Sequence, residues 1–170
     1  MRFDRLGGLI LLMGIAGPLA FAQNERLSGT WNLNVAMSFM GSDHPSSEYS
    51  FTRTIELKNG LVSITDRSVH ATMANIPLAD AVTTMEFAAD GKEYDIKLPS
   101  MFPGIPEMPG KVSALWQGCT LELHQVVAAF GSSSKQRMFL SQDGSQLIAL
   151  VEQHSTYGDT EQRLVFQKKE

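Results

Sequence analysis

Alternation of apolar and polar residues with a period of two, broken by two-residue turn signals, runs through almost the whole chain. Trp31, Leu33 and Val35 alternate with Asn32 and Asn34, and Phe51, Ile55 and Leu57 alternate with Thr52, Thr54 and Glu56. Asn59-Gly60, a strong hairpin signal, follows, and then the series Leu61, Ser63, Thr65. Met85 and Phe87 lead into Asp90-Gly91, and Tyr94, Ile96 and Leu98 lead out, which predicts a second hairpin. Val112, Ala114 and Trp116 precede a turn at Gly118, and Leu121 and Leu123 follow it, alternating with Glu122 and His124. Met138 and Leu140 run into Asp143-Gly144, a third hairpin signal, and Leu164 and Phe166 close the series. The run 147–151 is continuously apolar, as expected of a strand with little solvent on either face.

Short alternating runs at roughly ten-residue spacing, with turn residues between them, define an all-β barrel or sandwich. Sequential hairpins put neighbours in sequence next to each other in space. A long meander of that kind removes its exposed edges by closing on itself. The expected fold is therefore all-β, a single up-and-down antiparallel β-barrel of about 8–10 strands, with room inside for one small ligand. Residues 75–82 are the one place where a helical turn or short helix is expected. Residues 37–47 read as a polar loop. Residues 99–110 carry four of the seven prolines and are expected off the sheet, since proline cannot donate to a ladder. That segment also holds Met101, Phe102, Ile105 and Met108, so it reads as a loop folded over one barrel end. A packed structural loop, a lid beside a cavity and a partner-binding patch all fit it.

The N-terminus has a different character. Arg2 and Arg5 precede an apolar stretch, and Ala20-Phe21-Ala22 supplies a small-residue cleavage site before Gln23. This pattern predicts a cleaved signal peptide over residues 1–22, of bacterial type, and a mature domain over residues 23–170 in the periplasm or outside the cell. No membrane insertion is expected after cleavage. The formal charge of −4 and the absence of a basic run argue against nucleic acid or anionic lipid as a partner. Cys119 is the only cysteine, so no intramolecular disulfide can form. It precedes an alternating run and is expected in a buried strand-start position.

Gly29-Thr30-Trp31, opening the first strand, resembles the G-x-W motif of lipocalins. The pattern SGTWNLNVAMS, then a loop, then FTRTIEL, also resembles small exported bacterial lipocalin-like proteins. The resemblance implies a tryptophan, Trp31, closing one barrel end, with Gly29 in the same motif. It implies that an arginine from the last strand, Arg163, lies across that ring. It further implies transport or sequestration of a small apolar molecule, with no cofactor called for. A barrel filled by its own side chains, serving a structural or protein-interaction role with an unknown partner, is the alternative, and a barrel enzyme is a third.

The search for chemistry returns little. Ser132-Ser133-Ser134-Lys135 fits S-x-x-K, but the companion motifs S-D-N and K-T-G are missing and the segment reads as a turn. His44, His70, His124 and His154 have no metal-ligand spacing, and surface or rim positions are expected. Glu122, Glu152 and Glu161 should face water. No catalytic and no metal-binding residue is assigned, and the chain is not expected to be an enzyme. Arg53 is the exception to the pattern, because it shares a strand face with Phe51, Ile55 and Leu57. An inward arginine must be paired or reach water. Three roles fit: stacking on Trp31, reaching out at the barrel rim, or binding an acidic headgroup in the cavity. Nine methionines suit either core filling or an adaptable cavity. The candidate ligand-binding residues are Arg53, Met85, Phe87, Met101, Phe102 and Met138, and the expected partner is a small hydrophobic ligand.

Overall fold

The computed structural model describes residues 25–41, 44–45, 48–69, 80–98 and 107–169, and the backbone of 72–73 and 76–77. The leader, Met101, Phe102 and His70 lie outside the described residues. The chain forms β1 (Gly29–Leu33), a 3-10 turn (Val35–Met37), β2 (Phe39–Met40), β3 (Ser50–Lys58) and β4 (Leu61–Val69). Two short strands, β5 (Thr72–Met73) and β6 (Ile76–Pro77), pair with each other. Then come β7 (Ala81–Ala88), β8 (Asp90–Leu98), β9 (Met108–Gln117), β10 (Thr120–Val127), a 3-10 turn (Ala128–Phe130), β11 (Ser132–Leu140), β12 (Gln146–His154) and β13 (Thr160–Lys168). Among the described residues, no helix is long and apolar enough to cross a membrane.

The main sheet runs β7-β4-β3-β1-β13-β12-β11-β10-β9-β8, with β2 added beside β13. Every pairing in it is antiparallel. The first strand pairs with the last, so the sheet curls into a nearly closed up-and-down barrel of ten strands. Its seam lies between β7 and β8, which follow each other in sequence yet share no ladder. The hairpin expected at Asp90-Gly91 is therefore corrected. The Asp90 carboxylate does accept from Lys92 N–H at 3.0 Å, so the corner forms. The chain then turns away: Asp90 pairs with Leu115 of β9, and an irregularity between Asp90 and Glu93 swings β8 off β7.

Other local expectations are also corrected. Ile76–Pro77 is strand and Ala81 and Val82 belong to β7, so no helix forms at these positions. Phe39 and Met40 are not loop but pair with Arg163 and Gln162 of β13. Met108, Pro109 and Gly110 start β9. Pro109 is tolerated because it pairs only with Lys97 of β8, ahead of the point where β10 joins at Lys111. Ser132–Lys135 lies within β11 rather than in a turn. Cys119 is exposed in the β9–β10 turn, not buried at a strand start.

The Asn59-Gly60 hairpin is as expected. Both residues take positive φ, 54° and 79°, the two-residue turn whose twist suits paired strands. This turn sets Lys58 opposite Leu61 and hence Ile55 opposite Ile64. The inward face of β4 is thus Val62, Ile64 and Asp66, not the series Leu61, Ser63, Thr65.

Meander topology gives the barrel two different ends. Short turns after β3, β7, β9 and β11 make one end, and the longer connections after β1, β4 and β8 make the other. At the short-turn end Trp31 and Leu27 are fully buried. The indole N–H of Trp31 donates to the Leu27 carbonyl at 2.9 Å. Gly29 has φ of 140°, and a Cβ there would meet Lys168 Cε at 2.9 Å, so only glycine suits this approach. Lys168 in turn sets its ammonium 5.4 Å from the Trp31 ring centroid. The cation over the tryptophan is therefore Lys168, and the expected role of Arg163 is corrected. Arg163 is exposed and donates to the Met37 carbonyl at 3.1 Å.

Beyond β1 the ladder is continued by a side chain. Asn34 N–H donates to the Val165 carbonyl, and Val165 N–H donates to Ser38 Oγ at 3.0 Å. Ser38 Oγ donates onward to the Asn34 carbonyl at 2.7 Å, and Ser38 itself is fully buried. Ser38→Ala strands the buried Val165 N–H. We expect it to lower unfolding stability by about 1–3 kcal/mol, measured by urea denaturation.

Candidate ligand-binding site

Each strand keeps one face inward, so inward residues can be ordered by height between the two ends. The lower half is apolar and tightly filled. Trp31, Ile55, Val62, Ile64, Phe87, Leu121, Met138, Leu147 and Phe166 are all at most 2% exposed. The upper half differs. Gln125 continues the face of Leu121 and Leu123; Ser134 and Gln136 continue that of Met138; Gln162 continues that of Leu164 and Phe166. These four side chains are half-buried. None of them has a hydrogen-bond partner among the described residues. Beside these strands, β8 and β9 supply Tyr94, Ile96, Leu98 and Val112, with Val112 directly opposite Gln125 in the β9–β10 ladder. The upper half thus combines neutral polar groups from β10, β11 and β13 with apolar groups from β8 and β9.

Arg53 separates the two halves. It is 4% exposed, far from rim-like. Its Nε–H donates to Asp66 Oδ1 at 2.7 Å and its Nη2–H to Oδ2 at 2.6 Å, a bidentate ion pair between facing residues of β3 and β4. The guanidinium lies 5.6 Å from the ring centroids of both Phe51 and Phe166. Its Nη1 reaches Met138 Sδ at 3.1 Å, on β11, four strands away around the barrel. Arg53 therefore spans the interior and forms, with Asp66, Phe51, Phe166 and Met138, a layer beneath the upper half.

The layer revises the three roles expected for Arg53. It stacks on phenylalanines rather than on Trp31. It does not reach out at the rim. The carboxylate it holds is Asp66, which belongs to the protein.

Tyr49 stands beside this layer, its ring centroid 6.2 Å from that of Phe51. Burial, and then the negative charge of Asp66, push the Tyr49 phenol up to about 12, with Arg53 opposing. The unfolded phenol ionises near 10, so its contribution to stability is complete below that pH and is lost as pH rises toward 12. An absorbance titration of the three tyrosines should show one phenol ionising late, and Tyr49→Phe should remove that phase.

Of the remaining sequence candidates, Met138 is brought against Arg53. Met85 and Phe87 sit lower, opposite Ile64 and Val62 in the apolar half. His124 and His154 are exposed, and His154 Nδ1 lies 3.0 Å from Asp159 Oδ1. His44 Nδ1 lies 2.8 Å from the Ser38 carbonyl, its ring against Phe39. Glu152 is paired with Arg137 at 3.3 Å, and Glu122 accepts from Gln117 at 2.8 Å. No group of metal-ligating side chains occurs among the described residues. Asp66, the residue that completes the layer, is not among the candidates that the sequence singles out.

In fold this arrangement is lipocalin-like, a nearly closed up-and-down β-barrel, as the resemblance at the G-x-W motif implied. No protein-family model and no curated protein sequence matches the chain. Solved structures do match. The wild-type fluorescent protein UnaG superposes with a TM-score of 0.53 at 15% identity, covering 85% of this chain and 98% of that one. The zebrafish ileal bile acid-binding protein, complexed with cholic acid, gives 0.54 at 14% identity over 85% and 99%. A secretory abundant heat soluble protein from Ramazzottius varieornatus gives 0.56 at 10% identity over 85% and 96%. An S-type phycobiliprotein lyase from Guillardia theta also shares the fold, at 0.50 and 12% identity over 94% and 98%. Identities this low establish a common fold and nothing finer.

Proposed function

We propose that this protein binds a small amphipathic molecule in the upper half of its barrel, above the Arg53–Asp66 layer. The observation that carries this reading is the set Gln125, Ser134, Gln136 and Gln162, half-buried polar side chains without partners among the described residues. Half-buried polar groups turned toward the barrel interior without protein partners take theirs from water or from a ligand, which supports a binding role for this set. The apolar wall of Tyr94, Ile96, Leu98 and Val112 supplies the complementary surface. A barrel of this shape holds cholic acid, an amphipathic molecule, in the zebrafish bile acid-binding protein. Because the fold also carries a lyase, binding without catalysis is part of the proposal. Export belongs to it too: the leader pattern over residues 1–22 supports an address in the periplasm or outside the cell.

A filled barrel is the second reading. It is favoured by the reach of Arg53 to Met138 and the fully buried residues beneath. Native mass spectrometry of the exported protein separates the two. An excess of a few hundred daltons over the denatured mass supports binding, and the same preparation read from its first residue should begin at Gln23. No excess, together with no thermal shift against fatty acids, haem or retinoid-like compounds, favours the filled barrel.

A further inference from the structure

We propose that the site selects an uncharged head group and rejects both carboxylates and ammonium ions. This rests on the reading that the upper half of the barrel binds an amphipathic molecule, and it names the class. The layer beneath that half holds two charged side chains, Arg53 and Asp66, and each neutralises the other. Both Asp66 oxygens are engaged by the same guanidinium, through Nε–H at 2.7 Å and Nη2–H at 2.6 Å, so its charge is compensated by an internal carboxylate, while Nη1 is turned to Met138 Sδ. An incoming carboxylate would meet a cation already compensated by Asp66 and would add a second anion to the barrel. An incoming ammonium would have to compete with Arg53 for Asp66.

Tyr49 adds a phenol that stays protonated, a neutral donor. The polar wall of Gln125, Ser134, Gln136 and Gln162 offers amides and a hydroxyl, which both donate and accept. Hydroxyl, carbonyl, amide and ester groups fit that wall. An ion placed there would lose its hydration and gain no opposite charge.

The test is displacement of the neutral dye N-phenyl-1-naphthylamine at pH 8 by three chain-matched amphiphiles: 1-decanol, decanoate and decylammonium. With the unmodified protein, 1-decanol should displace the dye at concentrations at least about tenfold below those of either ion. Alcohols partition from water more readily than ions, so a variant supplies the sharper comparison. In Asp66→Asn the guanidinium regains an uncompensated charge, and the affinity for decanoate relative to that for 1-decanol, both measured on the variant, should rise about tenfold. A cooperative urea unfolding transition serves as the check that the variant is folded. Decanoate or decylammonium matching 1-decanol in the unmodified protein overturns the inference, and so does Asp66→Asn leaving decanoate unchanged relative to 1-decanol. If neither the dye nor any amphiphile binds, the ligand-binding reading itself has failed, and the inference falls with it.

Discussion

Asp66→Ala should lower the unfolding free energy by about 3–5 kcal/mol, since it strips the partner from a buried charge and leaves the solvation cost unanswered. Arg53 is 4% exposed and enclosed by Phe51, Phe166 and Met138, so water cannot readily replace the lost carboxylate. The partial exposure of Asp66 favours the lower part of that range. The double variant Arg53→Met with Asp66→Leu removes both charges and fills similar space. It should recover most of the loss, because apolar replacement of a buried ion pair is often neutral or stabilising. Equilibrium urea unfolding of the two variants decides the matter. A cost below about 1 kcal/mol for Asp66→Ala would mean that the pair behaves as a surface salt bridge, contrary to the layer described above.

Trp31→Ala should cost a similar amount, about 3–5 kcal/mol, for a different reason. The indole is fully buried at the short-turn end, and its removal leaves a cavity between Leu27 and the strands around it. It also leaves the Leu27 carbonyl without its donor. Lys168→Ala should cost less than about 1 kcal/mol, since an exposed cation over a ring contributes little. Thermal unfolding of the two variants side by side measures the ratio. Equal losses would show that the ammonium, rather than the buried indole, closes that end.

The barrel is legible in the sequence because alternation and turn residues act locally. Asn59-Gly60, Gly118 and Asp143-Gly144 mark turns by backbone chemistry that needs no tertiary context. The seam at β7 and β8 is not legible. Asp90-Gly91 forms a turn in either case, and only the competing ladder with β9 decides that the two strands part. The lipocalin motif implies a stacking role for Arg163, although this arginine shares its strand phase with Val165 rather than with Leu164 and Phe166. That phase turns it outward, toward Met37.

Arg53 is the instructive case. Its inward direction follows from Phe51, Ile55 and Leu57, but those residues do not name its partner. The partner is within reach of a register argument. A two-residue turn at Asn59-Gly60 forces Lys58 opposite Leu61, and counting outward along both strands sets Arg53 opposite Asp66. Reading β4 on the series Leu61, Ser63, Thr65 hides it, since a one-residue slip sends every side chain to the other face. The polar upper wall is hidden differently. Glutamines on a strand read as solvent-facing, and only the closure of the sheet turns Gln125, Gln136 and Gln162 toward a common interior.

The most direct measurement is a titration of isotopically labelled protein, residues 23–170, with N-phenyl-1-naphthylamine, followed by backbone and glutamine side-chain amide shifts. The account predicts saturable changes grouped at Tyr49, Asp66, Gln125, Ser134, Gln136 and Gln162, with Val62, Phe87, Leu121 and Leu147 nearly still. Changes confined to the outer faces of the strands, or no saturable change at all, would contradict a binding site in the upper half of the barrel.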